Sequence, residues 1–212
     1  MKDSAPTGPD WVALIGTALT IALHLVLAAT TQGPSVAFIA GACLFWSGFV
    51  VIRVRQDRGV LRTWGFRGDN LLAATGTAAI VFVVAVAGLA IYAHLHGTLR
   101  FPLPTLLLFL VYPLWGVIQQ FLALGIVVTN LERIPALSER KVLLVLLGAG
   151  LFGLVHIYDV RLVAGTTLLE LVVIPLFLRQ RNVWPLGVLH GWLGGLFYLW
   201  ILNRDLWAEA FG

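Results

Sequence analysis

Long apolar runs dominate this chain, and the few interruptions between them divide it into seven segments. Residues 11–52 contain no Asp, Glu, Lys or Arg. The turn signal Thr30-Thr31-Gln32-Gly33-Pro34 splits that run into spans at about 11–30 and 35–52. Further apolar runs fall at about 71–96, within 101–131, at 140–158, at 161–179 and at 183–203. Each is near the roughly 20 residues a helix needs to cross the hydrocarbon of a bilayer. They are continuous rather than alternating, which argues against the ten-residue strands of a membrane barrel. The pattern predicts an all-α fold, a polytopic membrane helix bundle of about seven transmembrane helices. Pro113 is expected to kink the fourth helix, and Pro175 to loosen the sixth around Leu171.

Composition agrees with a lipid solvent. The 212 residues are 59% hydrophobic and 11% charged, and mean hydropathy is +0.93. Soluble domains are near half apolar and about a quarter charged, and one core in so short a chain could not hide the surplus. The chain is read as a single integral membrane domain over 1–212. Cys43 is the only cysteine and reveals no redox compartment.

Basic residues then set orientation. With seven spans, eleven of the fourteen Lys and Arg share a face with the amino terminus: Lys2, the group from Arg53 to Arg67, Arg133, Arg140, Lys141, Arg179 and Arg181. Only Arg100, Arg161 and Arg204 fall opposite. Cytoplasmic loops carry the basic excess, which predicts the plasma (inner) membrane with the N-terminus cytoplasmic and the C-terminus, Gly212, outside. Leu27-Ala28-Ala29 resembles a small-residue cleavage site, but Lys2 is offset by Asp3 and Asp10, so the leading segment is read as a retained span. Clustered basic residues interleaved with aromatics are missing, which argues against a nucleic-acid partner. The expected partners are membrane lipids and a membrane-anchored protein or peptide.

Function must come from polar residues that lipid should exclude. Six stand out, all in the last four spans: Gln119, Gln120, His156, Asp159, Glu170 and His190. Adjacent helical residues point about 100° apart, so one of Gln119 and Gln120 can face a cavity while the other bonds a neighbouring helix. Asp159, three residues after His156, could hold one of its ring nitrogens if the helix continues. His190 opens a stretch with Gly191, Gly194 and Gly195, where another backbone could approach closely. Glu170 is placed near the bilayer centre, where a charge costs at least ~2.5 kcal/mol. His24 and the scattered Ser and Thr of the first three spans read as structural.

The order of these motifs resembles the CPBP family, the CAAX-protease and bacteriocin-processing intramembrane proteases. That family carries Glu-Glu-x-x-x-Arg, then Phe-x-x-x-His, then His-x-x-x-Asn on successive helices. Phe152-x-x-x-His156 matches the second motif in full, and His190, after Asn182-Val183-Trp184-Pro185, matches the start of the third. Gln119-Gln120 occupies the Glu-Glu position, thirty-seven residues before His156. The resemblance covers about 105–203, the family-like catalytic core. The departures are that both glutamates are glutamines, the motif arginine is Leu124 and the motif asparagine is Gly194.

The resemblance implies peptide-bond hydrolysis within the membrane, of a C-terminal sorting tag for example. A carboxamide has no basic site at neutral pH, so Gln119 cannot activate water, although it can donate to an oxyanion. Activation then moves to Glu170 or a histidine, with His190 assisting and Gln119 and Gln120 orienting the carbonyl. His156, His190 and at least one glutamine are expected to face a common polar cavity. Two histidines and a carboxylate would suffice for catalytic zinc, with His156 and His190 the candidate ligands; no His-Glu-x-x-His pair supports it. The alternatives are a catalytically inactive, immunity-type binding protein on the same fold, and a haem protein with His156 and His190 as axial ligands. At 1.5 Å per residue, Gln119 lies ~21 Å from Arg133 and His156 ~24 Å from Arg140, whereas His190 lies only ~10 Å from Val183.

Overall fold

The computed structural model describes residues 8–31, 36–103 and 105–205. Lys2, Asp3, the Gln32-Gly33-Pro34 turn and Gly212, all used above, lie outside the described residues. Among the described residues the fold is all-α, with seven long helices in the expected order. These are α1 (Trp11–Thr31), α2 (Val36–Gln56), α3 (Leu71–Leu95), α4 (Thr105–Leu131), α5 (Lys141–Leu154), α6 (Val160–Gln180) and α7 (Val183–Leu196). Single turns at Val60–Thr63 and Pro135–Ser138 interrupt the connections. Of the described residues, α3, α4 and α6 are long and apolar enough to cross a membrane, and Trp11–Leu27 and Lys141–Leu154 are shorter apolar helices. Leu72, Leu110 and Val142 are among the large apolar side chains left exposed, which suits a lipid solvent.

Three local features add to the expected pattern. Both α4 and α6 run helically through their prolines, Pro113 and Pro175. Proline lacks an N–H, so Pro113 orphans the carbonyl of Phe109 one turn back; the Trp192 indole donates to that oxygen at 2.9 Å and satisfies it. Beyond Gln120, α4 widens into a π-helical stretch, Phe121–Val128, and α7 continues as another, Phe197–Ile201. Finally, α5 stops at Leu154, four residues short of the expected end, and 155–158 form turns that carry His156.

The chain forms two compact units. One comprises Met1–Trp64 and Leu122–Pro175, the other Gly65–Phe121 and Leu176–Gly212. The boundaries fall inside α4 and α6, so each unit takes part of both helices.

In the first unit, Asp10 organises one end. Its Oδ1 accepts from the Ala13 amide and starts α1, and its own amide donates to Asn130 Oδ1 at 2.6 Å. Its carboxylate also pairs with Arg53 at 2.6 Å. The start of α1, the end of α2 and the end of α4 therefore meet, as the alternating topology requires. At the other end, the His24 ring lies 5.9 Å from Phe38 and 6.4 Å from Tyr158, and the Tyr158 hydroxyl donates to the Leu25 carbonyl. Within the unit, α5 packs through glycine: a Cβ on Gly148 would lie 2.9 Å from Ile174 Cδ1.

In the second unit, buried Asn182 ties one end together. Its Oδ1 accepts from the Trp184 amide and caps α7, and its Nδ2 donates to the Arg67 carbonyl and to Asn70 Oδ1 at 3.0 and 2.9 Å. Asn70 in turn donates to the Gln180 carbonyl at 2.7 Å. Gly65, at φ +90, accepts from the Val183 amide at 2.8 Å, and a Cβ there would press on the Phe177 ring at 2.7 Å. At the opposite end, Thr98 and Trp200 bond each other's segments, through the Trp200 carbonyl at 2.6 Å and the Arg100 carbonyl at 2.8 Å.

Candidate functional site

The second unit brings two of the expected residues together because α4 and α7 lie backbone to backbone, antiparallel. Gly191 faces Tyr112 and Pro113, so that a Cβ there would fall 2.5 Å from the Tyr112 carbonyl. A Cβ on Gly187 would fall 2.5 Å from Val117 Cα, and one on Gly116 would clash with the backbone of Gly187 and Gly191. Close approach of this kind is how small residues hold helices together where lipid removes the hydrophobic drive. Gly194 and Gly195 do not share this role; a Cβ at either would make only ordinary contacts at 3.8 Å.

That proximity lets Gln120 reach across. Gln120 and His190 are both buried, and Gln120 Nε2 lies 3.1 Å from His190 Nδ1. In this orientation of the carboxamide Nε2 donates to Nδ1, and the neutral ring then carries its proton on Nε2. In that tautomer His190 presents a donor. Gln119, half-buried and about 100° further round α4, points elsewhere.

His156 and Glu170 belong to the first unit. Glu170 is fully buried on α6. His156 is half-buried, and its Nδ1 lies 3.2 Å from the Phe152 carbonyl, with the two rings 5.3 Å apart. A carbonyl only accepts, so here Nδ1 carries the proton and Nε2 keeps its lone pair. The two histidines are thus held in opposite tautomers, His156 with an acceptor at Nε2 and His190 with a donor.

The expected hold of Asp159 on His156 is not found. Because α5 ends before His156, the two residues do not share a helical face. Asp159 instead pairs with Arg161 at 3.0 Å and accepts from the Arg161 amide at 2.9 Å, at the start of α6. The Arg161 guanidinium holds the Asp159 carboxyl below the usual carboxylate range.

Several residues that build the site escape a reading of polar outliers. Asn182 and Gly187 are two of them, and each had a signal. An Asn immediately before an apolar helical run is a cap candidate, and Gly187-x-x-x-Gly191 is the small-residue spacing that packs membrane helices. Gly116 and Trp192 gave no comparable signal. Among the described residues, no three His, Cys, Asp or Glu side chains gather into a set that could hold a metal.

A helical integral membrane protein with paired motif residues on α4 and α7 defines the class. Residues 101–196, just under half of the chain and including Gln119, Gln120, His156, Glu170 and His190, match the family described as type II CAAX prenyl endopeptidase Rce1-like. Over this segment the chain is similar to the CAAX-type intramembrane proteases, in line with the motif resemblance to the CPBP family. Neither a curated protein nor a solved structure gives a significant match.

Proposed function

We propose that the protein hydrolyses a peptide bond of a membrane-anchored protein or peptide, near the substrate's C-terminus. The buried Gln120–His190 pair carries this reading, because it lies in the segment that matches the CAAX-type endopeptidases and joins two of their motif positions. His156 Nε2, with its lone pair, takes a proton from water as hydroxide adds to the scissile carbonyl. His190, whose ring Gln120 holds, donates from Nε2 to the developing oxyanion. The proton on His156 then passes to the departing amine. Gln119 orients the substrate carbonyl, and Glu170 is the one further candidate for water activation. The decisive assay reconstitutes the purified protein in lipid with a membrane-anchored peptide ending in a CAAX-type sequence, and follows cleavage by mass spectrometry.

One observation favours the second reading, a binding protein without activity: glutamine stands at both glutamate positions. Parent protein that binds the anchored peptide but never cuts it would establish that reading instead.

Zinc would need ligands beyond His156 and His190. Cleavage is therefore expected to survive phenanthroline, and loss that added zinc restores would show a metal centre.

We further propose a plasma-membrane location with the amino terminus cytoplasmic. Alkaline phosphatase, active only outside, is expected to be silent when fused after Arg58 and active when fused after Gly97. The reverse pattern would invert the topology.

A further inference from the structure

The end of α2 carries a basic hook whose shape is fixed within the first unit. Residues 53–64 hold four arginines and one other charged residue, Asp57. Asp57 Oδ1 accepts from the Gly59 amide at 2.7 Å, which turns the chain back after the helix. The single turn Val60–Thr63 follows, and buried Trp64 then stacks on Phe49 of α2, ring centroids 6.0 Å apart. Arg53 is used internally: it pairs with Asp10 and lies over the Phe49 ring at 5.3 Å. The other three, Arg55, Arg58 and Arg62, are exposed.

Height matters as much as charge. Val51 and Ile52, just before the hook, are exposed apolar residues near the end of the 21-residue helix α2. At 1.5 Å per residue, Arg55 stands ~5 Å beyond Ile52, and Arg58 and Arg62 follow on the folded-back turn. Guanidinium groups bind phosphate through paired N–H donors in fixed geometry, and the anchored turn removes part of the ordering cost.

We propose that Arg55, Arg58 and Arg62 form a binding surface for anionic phospholipid headgroups. Each basic residue at such a surface contributes about fivefold to attraction for anionic lipid, so three together contribute about a hundredfold.

Native mass spectrometry of the full chain in neutral detergent, titrated with phosphatidylglycerol or phosphatidylcholine, tests this. Parent protein is expected to prefer phosphatidylglycerol. The variant R55Q/R58Q/R62Q should lose that preference by about a hundredfold, while R55K/R58K/R62K, which keeps the charge, retains most of it. Unchanged selectivity in the glutamine variant would overturn the proposal. So would complete displacement of the lipid by an equal concentration of inorganic phosphate, which would mark a site for a free anion. Thermal unfolding in phosphatidylcholine micelles checks that the triple variant is folded. Should it not fold, Arg55→Gln and Arg58→Gln alone are each expected to lower the preference about fivefold, and no change in either refutes the surface.

Discussion

Replacing His156 by alanine is expected to lower cleavage by at least about a hundredfold, because a positioned general base contributes roughly 10²–10⁴. His190→Ala should cost a comparable factor, since losing one oxyanion donor costs about 10²–10³. Gln120→Ala should fall between these variants and the parent, as it removes the hold on the His190 ring. Gln120→Glu is informative in another way. A carboxylate accepts from Nδ1–H and reverses the His190 tautomer, turning Nε2 from donor into acceptor. If His190 serves as a donor, that variant loses activity although it restores the family residue. If it gains activity, His190 is the base. Glu170→Gln keeps shape and hydrogen-bonding capacity but removes the carboxylate, so it folds. Should it alone abolish cleavage, with His156→Ala still active, water activation belongs to Glu170. Single-turnover rates on the anchored peptide, with circular dichroism to confirm folding, separate these outcomes.

Gly191→Leu is expected to unfold the second unit or prevent its assembly. The added Cβ alone would lie 2.5 Å from the Tyr112 carbonyl and 2.8 Å from Pro113 Cα, and neither backbone atom can rotate away. Overpacking in a soluble core costs about 1–3 kcal/mol. Here whole helices must part, which also separates Gln120 from His190 and Trp192 from the Phe109 carbonyl. Gly116→Leu should behave alike. Gly194→Ala is the control, because its Cβ would approach only the Tyr112 ring, at 3.8 Å. Melting temperature in detergent, together with the monodisperse fraction on size exclusion, reads the difference. If Gly191→Leu melts within a degree or two of Gly194→Ala, the backbone contact of α4 and α7 does not hold the unit together.

Much of this protein is legible without coordinates because lipid imposes a simple rule. A helix must satisfy its backbone internally and present apolar side chains along some 20 residues, so spans can be counted from hydropathy alone. For the same reason Gln120, Glu170 and His190 stood out, since polar groups in such runs need partners. The spacing of Gln119-Gln120, Phe152-x-x-x-His156 and His190 was enough to indicate the family whose model matches residues 101–196.

What hydropathy could not decide depends on contacts between distant segments or on hydrogen-bond competition. The end of α5 is one case: apolar residues continue to Tyr158, yet the helix stops at Leu154, and that turn alone denies His156 its expected partner Asp159. Arg161, two residues further, competes for that carboxylate and wins by charge. Proline is another. Pro113 would break an isolated helix, but an indole donor from α7 satisfies the orphaned Phe109 carbonyl. The tautomers of His156 and His190 likewise depend on which atom faces each ring, a backbone carbonyl one turn away in one case and a carboxamide seventy residues distant in the other. Sequence thus determined the solvent, the number of helices and the candidate residues, because each follows from the chemistry of single side chains in lipid. Tertiary structure alone decided which group faces each histidine ring, because that is a property of the partner and not of the residue.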